Sequence, residues 1–228
     1  MGTRSKPELI RFDVEPGVSP SAKPPVRIFL GTEAAQYRAT RIFIWSIKKV
    51  RDPARVYEIY LMDDLEGFDR TKWKTGFTNY RYAIPTLAGG TGRAIYNDVD
   101  QVYLSDPAEL FDLDMEGAGV LSVYDWENAV MLIDCEQMIR HWRIEEVHSN
   151  KKHKYFLDIV NREQLWKPLL GVWNTRDCEY PVAQTKCLHY TTLHTQPWHP
   201  FPQQLRYFPH AEGEVWYTLE READEAEF

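Results

Sequence analysis

Cysteine is scarce in this chain. Its three residues, Cys135, Cys178 and Cys187, are widely spaced and odd in number among 228. They form no CxxC pair and no disulfide framework, so a reducing, cytoplasmic compartment is expected, and no Cys/His spacing suits a zinc site. Long apolar runs are also missing. Nothing approaches the ~20 residues of a membrane-spanning helix, and the opening MGTRSKPELI has no secretory apolar stretch, so no integral membrane segment is expected. Positive charge is in the minority, with 27 Lys and Arg against 34 Asp and Glu, a net charge of −7. This argues against nucleic acid as a partner. A phosphate-bearing ligand stays open, because a bound metal reverses the local field. No feature sets the oligomeric state.

What is present reads as a folded protein. Hydrophobic residues make up 43% and aromatics 14% of the chain, enough for one α/β domain with a sizeable core. Residues 1–25 carry five prolines and little apolar periodicity, and are expected to be a flexible arm. Residues 26–218 are expected to form a single domain, and the acidic end, 219–228, a frayed tail. Val26–Gly31 is a short apolar run stopped by glycine, a buried strand. Ala39, Phe43, Ile47 and Val50 then fall on one helix face. Residues 56–64 and 93–98 return to strand character. This alternation predicts a mostly parallel central sheet flanked by helices, with ligands at the carboxyl ends of its strands. Asp106-Pro107 marks a helix start. Residues 119–124, 129–134 and 186–192 read as strands, 135–142 as a helix and 148–154 as an exposed loop, while 143–185 has weak patterning.

The most informative segment is Asn97-Asp98-Val99-Asp100. Two carboxylates one residue apart at a strand end both face a cleft if the chain turns there, and supply hard oxygen ligands for Mn²⁺ or Mg²⁺. Such an ion binds a diphosphate and neutralises charge on a departing nucleoside diphosphate. A solvated surface turn is the plain alternative for a bare DxD.

The surrounding segment, residues 77–111, resembles the family 8 glycosyltransferases and their relatives on the GT-A fold. The resemblance rests on Tyr80-Arg81-Tyr82 with Pro85, then Ala94-Ile95-Tyr96, then Asp98-Val99-Asp100, then Val102-Tyr103-Leu104 and Asp106-Pro107. It extends in scattered blocks to RIFLGTEAAQY, to VMLID (130–134) and to LHYTTLHTQPWHP (188–200). It implies a GT-A, Rossmann-like nucleotide-diphospho-sugar transferase fold and a hexosyltransferase activity. The sugar would come from a nucleotide-sugar donor, UDP-linked, and pass with retention to a glycan, glycolipid or small-molecule acceptor. On the same ground Asp98, Asp100 and His189 would hold the metal. Arg81 would act in catalysis beside the two aspartates and contact the donor diphosphate or sugar. Gly31, Thr32 and Glu33 would meet base and ribose. Asn97, Val99, Asn128, His194 and Trp198 complete the donor contacts. For Arg81 an arginine paired with a carboxylate is the competing reading, for Gly31 an ordinary turn, and for His189 a buried, hydrogen-bonded histidine.

The chain departs from the family pattern in places. Gln196 stands where the family has lysine, Glu127-Asn128-Ala129 replaces Asn-x-Gly, and the family's Asp-Gln pair has no counterpart, Asp158 and Glu163 being the carboxylates of that region. Two other readings follow. One is an inactive GT-A domain that binds nucleotide sugar. The other is a haloacid-dehalogenase-like phosphohydrolase with Asp98 as nucleophile, although at least two strands precede its DxD.

Overall fold

The computed structural model describes residues 3–68, 75–149 and 151–228. Its strands are β1 (Glu8–Phe12), β2 (Val26–Gly31), β3 (Tyr57–Met62), β4 (Arg93–Asp98), β5 (Gln101–Tyr103), β6 (Val120–Ser122), β7 (Val130–Asp134), β8 (Trp166–Pro168), β9 (Thr175–Arg176) and β10 (Cys187–His189). The helices are α1 (Tyr37–Val50), α2 (Ile84–Leu87), α3 (Pro107–Phe111), α4 (Cys135–Met138), α5 (Ile144–His148), α6 (His153–Arg162) and α7 (Gly213–Glu225).

Seven strands form the central sheet in the order β1-β3-β2-β4-β7-β6-β8, as the α/β pattern requires. β3-β2-β4 are parallel and so is the β6-β8 pair, while β1 and β7 run antiparallel to their neighbours and make the sheet mixed. Apart from Arg27, β2 is apolar because it is covered on both faces: Val26, Ile28, Phe29 and Leu30 are all buried. α1 lays Ala39, Phe43 and Ile47 onto this core. Asp106 caps α3 as expected, accepting the Ala108 N–H at 2.8 Å. The helix expected over 135–142 closes at Met138, and a turn carries Trp142 into the core against Tyr82.

Both chain ends differ from the expectation of mobile arms. Residues 8–12 form edge strand β1, antiparallel to β3, with Pro7 and Pro16 outside the ladder where a missing N–H costs nothing. The acidic end is the last part of helix α7. It buries Trp216, Leu219 and Ala223, spaced three and four apart, and sets Glu220, Glu222 and Asp224 against Arg38, Lys49 and Arg41 of α1. Of the segment expected as an exposed loop at 148–154, Ser149, Lys151 and Lys152 are exposed and lie between helices, while His148 ends α5, His153 and Lys154 begin α6, and residue 150 lies outside the described residues.

The second sheet, β5-β10-β9, is small. The chain leaves β4 at Asp98, turns through Val99 and Asp100, and enters β5 at Gln101. In the ladder Gln101 lies opposite His189 of β10. The turn that carries both aspartates is therefore held beside the end of β10, and the Tyr190 N–H closes it onto the Asp100 carbonyl at 2.8 Å.

Candidate metal and donor site

Asp98, Asp100 and His189 converge, with one ligand atom from each within 4.8 Å of the others. His189 is buried, and its Nδ1 lies 2.8 Å from Asn174 Oδ1. The orientation of that amide is set from behind, since Asn174 Nδ2 donates to Glu127 Oε2 at 2.7 Å. Asn174 Oδ1 therefore accepts the Nδ1–H, and the Nε2 lone pair faces Asp100 Oδ1 at 3.1 Å. That carboxylate oxygen is buried and has no hydrogen-bond partner. Two acceptors facing each other in a buried site require a proton or a cation between them. Burial works against an imidazolium at His189, but the Asp100 carboxylate outweighs it and raises the pKa. Two hard carboxylates and an imidazole are a donor set that Mn²⁺ or Mg²⁺ accepts, so the residues fit a divalent ion.

Arg81 stands behind Asp98. It is 3% exposed, and its fork is largely committed within the protein. Nη2 donates to Asp98 Oδ1 at 2.8 Å, Nη1 to the Asn128 carbonyl at 2.7 Å and side chain at 2.5 Å, and Nε to the Thr78 carbonyl at 2.9 Å. The Tyr96 hydroxyl adds a bond to the same Asp98 oxygen at 2.5 Å. Burial lifts the Asp98 carboxyl to about 6; Arg81 pulls it down and Asp100 pushes it up. Expected as a phosphate contact, Arg81 is here a buried guanidinium that fixes a metal ligand and the loop bearing Asn128.

The other sequence candidates divide by position. Thr32 and Glu33 follow β2 and line a cavity of about 370 Å³. Gly31 lies opposite Asp98 in the ladder, so Thr32 and Glu33 leave β2 one strand away from the candidate metal ligands. Its lack of a side chain serves packing: a Cβ would sit 2.5 Å from Tyr96 Oη and 2.8 Å from Phe77. The side chains of Asn97, Val99 and Trp198 turn inward. Asn97 bonds Gln101 and Tyr103, Val99 lies in the core, and Trp198 donates to Gln36 at 2.7 Å. His194 is exposed and contacts the Arg206 carbonyl. Asp158 and Glu163 point outward on and just after α6, paired with Lys154 and Arg162.

Sequence reasoning missed Asn174 and Glu127, which have no motif of their own and lie far apart in the chain. Gln196, in the family's lysine position, donates to Asp100 Oδ2 at 3.2 Å and so supports a metal ligand. Replacing Asn174 with alanine is expected to weaken Mn²⁺ binding by about 10–100-fold, the usual cost of an outer-shell partner. Titration of the metal by calorimetry reads this, and unchanged affinity would remove Asn174 from the site.

His153 completes the support of Arg81, with Nδ1 at 2.7 Å from the Tyr82 hydroxyl, which also accepts from Asn128. Burial, aided by the Arg81 charge, lowers its pKa from 6.5 to about 3. The folded form keeps this imidazole neutral while the unfolded chain protonates it, so stability falls as pH drops from 6.5 towards 3. Urea unfolding at pH 7 and pH 5 should show a loss about 2 kcal/mol larger in the wild type than in His153→Gln. Equal losses would mean that the imidazole is not held neutral.

No protein-family model matches the sequence, and no curated protein does. Solved structures do match the fold. The apo-form glycosyltransferase GlyE of Streptococcus pneumoniae TIGR4 superposes with a TM-score of 0.60 at 16% identity, over 86% of this chain and 60% of that one. The bifunctional glycosyltransferase WbbM gives 0.59 at 13%, over 89% and 53%. The galactosyltransferase LgtC, solved with donor and acceptor sugar analogs, gives 0.58 at 12%, over 86% and 96%. The chain thus spans little more than half of the first two and nearly all of the third. At these identities the likeness establishes a GT-A-type glycosyltransferase fold. Among the described residues no helix is long and apolar enough to cross a membrane.

Proposed function

We propose that this chain is a metal-dependent glycosyltransferase of the family 8 kind. It takes a hexose from a nucleotide-sugar donor, UDP-linked, and transfers it with retention to a sugar-bearing acceptor. The observation that carries the proposal is the meeting of Asp98, Asp100 and His189 at the carboxyl end of β4, inside a fold shared with glycosyltransferases. A divalent ion bound there supplies charge neutralisation for the leaving diphosphate. The protein's own contribution is preorganisation. Arg81 and Tyr96 fix Asp98, Gln196 and the Tyr190 backbone fix Asp100, and Asn174 fixes the His189 tautomer, so the ligands need little rearrangement. The phosphohydrolase reading loses ground here, because β1, β2 and β3 all precede Asp98 and the fold is shared with glycosyltransferases.

A panel of nucleoside diphosphates and their sugars, each with and without Mn²⁺, tests the proposal by thermal shift. A rise in melting temperature with one donor only when metal is present supports it and names the base. Hydrolysis of that donor, or transfer to a sugar acceptor, separates an enzyme from a domain that only binds. No shift with any donor, together with turnover of a phosphate monoester, would sink it.

A further inference from the structure

The cavity one strand away from the candidate metal ligands is lined in part by the N-terminal segment. Thr32 and Glu33 after β2, Tyr37 at the start of α1 and Asp63 after β3 form its inner part, while Arg4 and Glu8 of the N-terminal arm line it as well. The arm is anchored by its backbone. The Arg4 N–H donates to the Asp64 carbonyl at 2.7 Å, the Glu66 N–H to the Arg4 carbonyl at 2.9 Å, and Glu8 lies opposite Leu61 in the ladder. Arg4 and Glu8 pair with each other, each about half exposed.

We infer that this arm forms one wall of a nucleoside subsite and so contributes to recognition of the donor's base and ribose. The inference rests on the proposed donor reading. Three facts support it. Gly31 is the ladder partner of Asp98, so a ligand lying along Thr32 and Glu33 would extend directly towards the metal ligands. Among the described residues the charged lining comprises Glu8, Glu33 and Asp63 with Arg4. Carboxylates accept from ribose hydroxyls and base N–H groups but repel phosphate, which sets the nucleoside in the cavity and its diphosphate at the metal. Tyr37, 71% exposed at this cavity, offers a ring on which a base stacks.

The test is calorimetry on the full chain with Mn²⁺, comparing UDP with inorganic pyrophosphate. Pyrophosphate fills only the metal part of the site. The proteins are wild type, the double variant Arg4→Ala/Glu8→Ala, Tyr37→Ala, and Arg11→Ala as a control. Arg11 lies on the same strand but pairs with Asp13 and Glu58. In the wild type UDP should bind more tightly than pyrophosphate. The double variant and Tyr37→Ala should each lose about tenfold in UDP affinity with pyrophosphate unchanged, the scale of one lost base-stacking contact. Arg11→Ala should match the wild type. UDP affinity unaffected in the double variant, or lost equally in Arg11→Ala, would overturn the arm's role. Equal binding of UDP and pyrophosphate by the wild type would overturn the nucleoside subsite and leave the metal–diphosphate reading standing. Binding of neither would remove the donor reading and this inference together.

Discussion

Replacing Asp100 with asparagine is expected to abolish metal-dependent binding of a nucleoside diphosphate and to leave the metal-free protein as stable as before, or more so. The two effects have opposite signs because Asp100 serves a ligand and not the fold. In the absence of a cation its Oδ1 is buried and faces His189 Nε2 at 3.1 Å, in a site already holding the Asp98 carboxylate. Repulsion between the two buried carboxylates costs free energy, and the pairing of Asp100 with His189 offsets part of it. Asparagine retains an oxygen for the Gln196 amide, which now meets Asp100 Oδ2. Loss of a direct ligand should exceed the 10–100-fold typical of outer-shell partners, so affinity for Mn²⁺ should fall by more than about 100-fold. The melting temperature should hold or rise, by roughly 2–4 °C for each kcal/mol of relieved repulsion in a domain of this size. Titration with Mn²⁺ and UDP, beside a thermal melt, reads both quantities. Wild-type affinity in the variant would refute the metal site, and a large fall in melting temperature would make Asp100 structural instead. Such a trade of stability for function is common at binding sites.

The sequence made this carboxylate pair visible because its signal is local: an apolar strand, a turn, and two aspartates within three residues. His189 was visible through the layout of distant blocks, and the ladder that sets it opposite Gln101 explains why a strand so far along the chain reaches the turn. Positioning groups leave no such trace. Asn174 lies in the weakly patterned stretch between 143 and 185, and its role exists only because β9 runs parallel to β10 and brings it under His189. Strand β1 was hidden for another reason. An edge strand exposes most of its residues, so Glu8–Phe12 has no strong apolar alternation and sits between prolines that suggest a loop. The acidic end misled by composition. Its carboxylates are matched by basic residues on α1, and the buried Trp216, Leu219 and Ala223 carry the helical period.

Arg81→Ala should be the most destabilising single change at the site. A guanidinium that is 3% exposed, with four hydrogen bonds to protein oxygens, leaves both a void and unpaired acceptors when removed. Breaking a buried ion pair from one side typically costs 3–5 kcal/mol, a fall in melting temperature of roughly 6–20 °C here. Lysine retains the charge but not the fork, and cannot reach Asp98, Asn128 and Thr78 together, so Arg81→Lys should recover only part of the loss. The second consequence concerns the metal. Burial raises the Asp98 carboxyl to about 6 even with Arg81 opposing it. Without the guanidinium that pKa climbs further, and at neutral pH a proton competes with the cation for Asp98. Mn²⁺ binding by folded Arg81→Ala should therefore be weaker at pH 7 than that of the wild type and recover more steeply as the pH is raised, since His189 must lose its proton in both proteins but Asp98 holds one only in the variant. A variant with normal stability and the wild-type pH dependence of metal binding would show that Arg81 does not hold Asp98, and would return it to the role of a direct donor contact.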